Sequence, residues 1–74
     1  MSKIDKLIER LRRQTEADIA DIETLMAAFG YGMRPGKGSH RVYSKPGSRF
    51  TIPTRGGRKV KRAYINELFK LLDL

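Results

Sequence analysis

The chain has a single histidine, His40, and it lies inside an unusual stretch: residues 31–62 carry ten Lys or Arg side chains and no Asp or Glu. A histidine titrates near neutrality, so it serves as a general base or a general acid. Cations beside it hold a phosphate and stabilise charge that develops there. RNA supplies its own nucleophile, the 2′-hydroxyl. Strand cleavage then needs only a base, charge stabilisation and in-line positioning, and DNA is not a substrate for such a site. A solitary histidine is more often an ordinary strand residue. This one stands out because the only histidine falls in the only acid-free basic block.

On this reading His40 is the proton-transfer group. Lys37, Arg41 and Lys45 hold the phosphate, and Gly38 and Ser39 allow the backbone to approach it closely. Arg58, Lys59, Lys61 and Arg62 track the nucleic-acid backbone, at the start of a helix whose positive end favours anions. Tyr43 and Lys37 are the candidates for a second proton-transfer group.

Other chemistries lack their residues. The chain has no cysteine, so it forms neither a disulfide scaffold nor a Cys/His zinc site. The basic block holds no carboxylate cluster for Mg²⁺. No nucleophile, base and orienting group form a hydrolase triad. Gly30–Ser39 is glycine-rich but matches neither a Walker loop nor a dinucleotide fingerprint. No metal and no small-molecule cofactor is expected.

Sixteen Lys/Arg against eight Asp/Glu give a net charge of +8, which favours a polyanionic partner. Both flanks of the central block carry slightly more acid than base, so the excess is local. Ten cations without a nearby counter-charge repel one another and call for a partner that offsets the repulsion. The 74 residues predict one domain with a small core. No apolar run reaches the ~20 residues that span a bilayer, and no signal-peptide pattern opens the chain; a cytoplasmic protein with no membrane association is expected.

The elements that must position these residues follow from periodicity. Ile4, Leu7, Ile8 and Leu11 make a helical stripe over 3–14, with Ser2 and Asp5 spaced as a cap. Thr15 and Asp18 repeat that spacing ahead of Ile19, Ile22, Met26 and Phe29, predicting a second helix that Gly30 ends. Lys45-Pro46-Gly47-Ser48 has the sequence of a type II turn. It predicts an antiparallel hairpin of His40–Lys45 and Arg49–Pro53, with Arg49 and Thr51 on one face and Phe50 and Ile52 on the other. Tyr31–Arg34 offers at most a third, edge strand. A last helix over about 61–72 carries Ile65, Leu68, Phe69 and Leu72. The order predicts an α+β domain with helices on one face of a small antiparallel sheet.

Several of these residues also carry a family resemblance. Lys37-Gly38-Ser39-His40-Arg41-Val42-Tyr43, then Pro46-Gly47, Phe50-Thr51-Ile52-Pro53 and Gly56-Gly57, resembles the HicA toxins of bacterial toxin–antitoxin systems. The segment from Val60 to Leu72 is similar to that family's closing helix. The resemblance covers about residues 20–74, and residues 3–14 resemble an extension found in some members. It implies a single double-stranded-RNA-binding-domain-like domain over 1–74. It also implies an mRNA interferase that arrests translation and is neutralised by a HicB-type antitoxin, with His40 at the position of the catalytic histidine. Arg41 and Arg55 stand where many members carry further histidines.

Three rival readings remain open at the level of sequence. A non-catalytic RNA-binding module of the same fold would bind with steep salt dependence and leave RNA intact. A DNA-binding protein would need base-reading side chains, of which the last helix offers little beyond Asn66. A small subunit of a ribonucleoprotein is the third.

Overall fold

The structure, a computed structural model, describes residues 2–74. Helix α1, Lys3–Arg13, begins in a reciprocal cap: the Ser2 hydroxyl accepts from the Asp5 amide at 3.1 Å and the Asp5 carboxylate accepts from the Ser2 amide at 3.3 Å. The predicted stripe turns inward, with Leu7 and Leu11 buried and Ile4 and Ile8 packed beside them. Among the amides and carbonyls that helix ends leave unpaired, the two carbonyls of Leu11 and Gln14 are satisfied from a distance, by the Arg62 guanidinium.

The second helix does not start at Thr15. Residues Glu16–Asp18 form a short strand, β1, and α2 runs Ile19–Ala28. Asp18 occupies the N-cap position in extended backbone, yet its carboxylate makes no cap bond and accepts instead from the Lys59 ammonium. Gly30, in left-handed conformation, follows the end of α2 as predicted.

Strands β2 (Gly32–Pro35), β3 (His40–Lys45) and β4 (Ser48–Pro53) form an antiparallel sheet in the order β2-β3-β4. Tyr31–Arg34 thus contributes a full edge strand, shifted by one residue. Gly47 at φ +83° closes the predicted turn, a conformation that favours glycine. The turn fixes the register Lys45↔Ser48, Ser44↔Arg49, Tyr43↔Phe50, Val42↔Thr51, Arg41↔Ile52 and His40↔Pro53.

Strand β5, Lys59–Lys61, pairs antiparallel with β1 in a second, two-stranded sheet that sequence periodicity does not predict. Ala17 and Val60, partners in that pairing, are both buried. Helix α3, Arg62–Leu71, follows and buries Ile65, Leu68 and Phe69. These residues, Ile22, Leu25 and Met26 of α2, and Tyr43 and Ile52 of the three-stranded sheet share one core. The helices therefore cover one face of that sheet, as the α+β expectation requires, and leave the other open.

Candidate functional site

Alternation along the strands sorts the central side chains onto two faces. On β3, Arg41 and Tyr43 turn to the helix side; His40 and Val42 turn away, facing Pro53 and Thr51 of β4. Arg49 of β4 and Arg34 of β2 share this outer side, since Arg34 pairs with Val42. The result is an open groove of about 520 Å³ lined by Arg34, Pro35, Gly36, Lys37, His40, Val42, Arg49 and Thr51. Its floor is Val42, which is only 7% exposed although it lies outside the main core.

The loop from β2 to β3 holds His40 in place. Its Nδ1–H donates to the Lys37 carbonyl at 2.9 Å, and its amide donates to the same carbonyl at 3.1 Å. A carbonyl only accepts, so this bond assigns the hydrogen to Nδ1 and leaves Nε2 of the neutral ring with its lone pair available. The Gly36 amide donates to the His40 carbonyl at 2.9 Å. A Cβ at Gly36 would stand 3.2 Å from the His40 Cβ and 3.3 Å from Val42 Cγ2, so a larger residue would press the loop against the strand that carries the histidine.

Ser39 and Thr54 lock the other side. The Ser39 hydroxyl donates to the Thr54 carbonyl at 2.9 Å, while the Thr54 hydroxyl and amide both donate to the Ser39 carbonyl. The Ser39 side chain is therefore a clasp behind the histidine. Gly38, at φ +58°, stands in open space beside it.

The structure brings Lys37 to His40 and separates Arg41 and Lys45 from it. Arg41 pairs with Glu23 of α2 at 3.4 Å. The Lys45 ammonium donates to the Phe29 carbonyl at the end of α2 at 3.0 Å and lies 4.7 Å from the centre of the Tyr31 ring. Tyr43 is buried in the core on that same inner side, and burial, followed by the nearby Glu23 charge, pushes its phenol well above the ordinary tyrosine range. Its side chain is on the face of the sheet opposite His40.

The four cations at the start of α3 also divide. Lys59 is bonded to Asp18 and Arg62 to the carbonyls that end α1. Arg58 and Lys61 remain exposed, without an ion pair or side-chain hydrogen bond among the described residues. Arg55 lies 3.5 Å from Glu16. The expectation that the central cations lack counter-charges is thus corrected: Glu23, Glu16 and Asp18, remote in sequence, stand opposite Arg41, Arg55 and Lys59.

Sequence reasoning missed Arg34 and Arg49 as neighbours of His40. The signal was present. Counting register back from the two-residue turn sets Arg49 against Ser44 and His40 against Pro53, on one face. Neither arginine, nor Lys37, has an ion pair or side-chain hydrogen bond among the described residues.

An uncovered cationic face on a three-stranded antiparallel sheet, backed by helices and carrying one oriented histidine, defines an α+β protein of the double-stranded-RNA-binding-domain-like class. The family model described as the HicA toxin of bacterial toxin–antitoxin systems matches residues 19–74. The chain belongs to the HicA toxin family, and an antitoxin is its implied partner. No curated protein and no solved structure matches the chain. Helix α1 precedes the matched part. No helix among the described residues is long and apolar enough to cross a membrane, and no group of three or more His, Asp or Glu side chains converges there as a metal site.

Proposed function

We propose that the protein is a toxin acting as a metal-independent endoribonuclease that cleaves mRNA and arrests translation, with His40 as the base. The observation that carries this reading is the hydrogen bond from His40 Nδ1–H to the Lys37 carbonyl, which leaves Nε2 as the basic nitrogen of a histidine lining a groove with Arg34, Lys37 and Arg49. Nε2 takes the proton of a ribose 2′-hydroxyl as that oxygen attacks the adjacent phosphorus. The bond from phosphorus to the 5′-oxygen breaks, leaving a 2′,3′-cyclic phosphate, and the 5′-oxygen is protonated from solvent or from the Lys37 ammonium. The three cations hold the phosphate and stabilise its developing charge. Of the residues named from sequence, Lys37 serves this role directly. Gly38 and Ser39 shape the loop, and Arg58 and Lys61 extend the cationic surface.

In this reading residues 1–74 act as one domain, with residues 20–74 its core and α1 an extension seated on it. The protein works in the cytoplasm. A HicB-type antitoxin with an acidic surface covers the groove and supplies the charge that Arg34, Lys37 and Arg49 lack. The test is cleavage of a mixed-sequence mRNA in excess EDTA by the parent protein and by His40→Ala. Cleavage by the parent, and cleavage at least about a hundred-fold slower by the variant, is expected; equal cleavage by both removes His40 from the mechanism. One feature favours a binding module as the second reading: the groove is lined by a single histidine, with no second histidine and no carboxylate beside it. A folded parent that binds RNA and leaves it intact would decide for that module.

A further inference from the structure

A second depression of about 300 Å³ lies beside the histidine and belongs to no step described above. Pro53, Thr54, Arg55, Lys61 and Tyr64 line it. It adjoins the first groove through the sheet itself, because Pro53 is the register partner of His40 and Thr54 is clasped to Ser39. Its walls combine two chemistries. Pro53 and Tyr64 offer flat apolar surface, both half-buried, and the Tyr64 hydroxyl makes no hydrogen bond among the described residues. Lys61 is exposed at its rim, and Arg55 is exposed with Glu16 at 3.5 Å.

We propose that this depression is a nucleobase subsite, in which a base of single-stranded RNA stacks on the Tyr64 ring while Lys61 holds the neighbouring phosphate. The inference rests on the RNA reading above and deepens it to a substrate class. Single-strand sites pair cations that follow the backbone with aromatic rings that accept any base, because every base has a π face. A base inside a duplex is already stacked on its neighbours and cannot reach such a ring. The sheet sets the two places in succession for one strand: the groove of Arg34, Lys37 and Arg49 beside His40, then the depression past the His40–Pro53 rung.

The experiment measures binding of a single-stranded RNA octamer, and of the same octamer annealed to its complement, in the His40→Ala background so that cleavage does not intervene. The parent background is compared with added Tyr64→Leu, which keeps apolar volume and removes the aromatic face, with added Tyr64→Phe, and with added Lys61→Gln. Tyr64→Leu is expected to weaken single-strand binding roughly ten-fold and to leave duplex binding unchanged. Tyr64→Phe retains the affinity of the background. Lys61→Gln lowers the slope of log affinity against log salt for the single strand by about 0.7. A thermal melt of each variant separates loss of folding from loss of stacking. Equal binding by Tyr64→Leu and its background overturns the subsite, as does an equal loss for duplex and single strand. Unchanged RNA binding together with weakened antitoxin binding would make the depression a protein-docking surface and overturn it too. If the background binds neither RNA, the functional reading itself has failed. If binding falls in Arg34→Gln but not in Tyr64→Leu, that reading stands and only the subsite is lost.

Discussion

His40 and Arg41 are neighbours in sequence and stand on opposite faces of one sheet. The outer face carries Arg34, Lys37, Arg49 and His40, with no counter-charge for its cations among the described residues. The inner face carries Arg41 and Lys45, each engaged with α2 or the turn after it, through Glu23, the Phe29 carbonyl and the Tyr31 ring. The residue types are the same, so charge alone does not separate a binding cation from a structural one. What separates them is whether the fold supplies a partner. An unpartnered cation costs the compact state some repulsion, which an external anion relieves. A partnered one holds elements together and has little attraction left to offer.

The two faces part most visibly at His40. His40→Ala should lower the rate of mRNA cleavage about 10²–10⁴-fold, the usual contribution of a positioned proton-transfer group. Its melting temperature should stay near that of the parent, because His40 is exposed. Arg41→Gln, one position along, should do the reverse: cleavage retained and the melting temperature lowered by loss of the pair with Glu23. Cleavage assays and thermal melts on both variants decide the matter. A rate loss in Arg41→Gln as large as that in His40→Ala would end the distinction between the faces.

Next in size is the double variant Arg34→Gln with Arg49→Gln. Each arginine that meets a phosphate contributes about 0.7 to the slope of log affinity against log salt for a single strand. Removing both should flatten that slope by about 1.4 and weaken binding at low salt. The melting temperature should hold or rise, since two unpartnered cations leave a crowded face. Fluorescence anisotropy across a salt series provides the reading. An unchanged slope would place the bound strand elsewhere.

Arg62 is a partnered cation of the structural kind. Its guanidinium donates to the carbonyls of Leu11 and Gln14, so it closes the end of α1 much as Lys45 closes α2. Arg62→Met keeps the apolar stem and removes the donors. The expected loss is about 1.5–3 kcal/mol for hydrogen bonds to a charged group, seen as a melting temperature lower by several degrees. RNA affinity should not change. A variant that melts like the parent but binds RNA poorly would return Arg62 to the nucleic-acid surface.

These assignments divide along what a local reading of sequence sees. Helix α1 was legible down to its cap, because Ser2 and Asp5 act within one turn. The hairpin was legible because Pro46-Gly47 fixes both its turn and its register. The pairing of β1 with β5 was not, because a three-residue strand carries no period and its partner lies some forty positions away. Its trace is complementarity: Glu16-Ala17-Asp18 runs antiparallel to Lys59-Val60-Lys61, acid against base around an apolar pair. The same distance hid the fate of the cations. Sequence placed ten of them together without an acid, and folding brought Glu16, Asp18 and Glu23 across to three of them. His40 was legible as a candidate from its neighbours, whereas its groove needed the parity of three strands to appear.

The smallest expected effect concerns that β1–β5 seam. Lys59, by hydrogen bond and then by charge, holds the Asp18 carboxyl below the usual carboxylate range, and Asp18 in the same order holds Lys59 above the usual lysine range. The two shifts act at opposite ends of the pH scale. A carboxyl lowered by folding contributes stability above its unfolded value of 3.8 and loses it as pH falls through the lower folded value. An ammonium raised by folding contributes below its unfolded value of 10.5 and loses it as pH rises through the higher folded value. The pair therefore stabilises the fold across the whole neutral range and fails in acid and in strong base. Both groups are exposed, so salt and water screen the effect and it stays small. Melting curves of the parent and of Asp18→Asn should differ most near neutral pH and converge below the folded value of Asp18. RNA binding should be indifferent, because Lys59 lines neither the groove beside His40 nor the depression at Tyr64. If Asp18→Asn instead strengthens RNA binding, Lys59 belongs with the unpartnered cations after all, and Asp18 is the acid that restrains it.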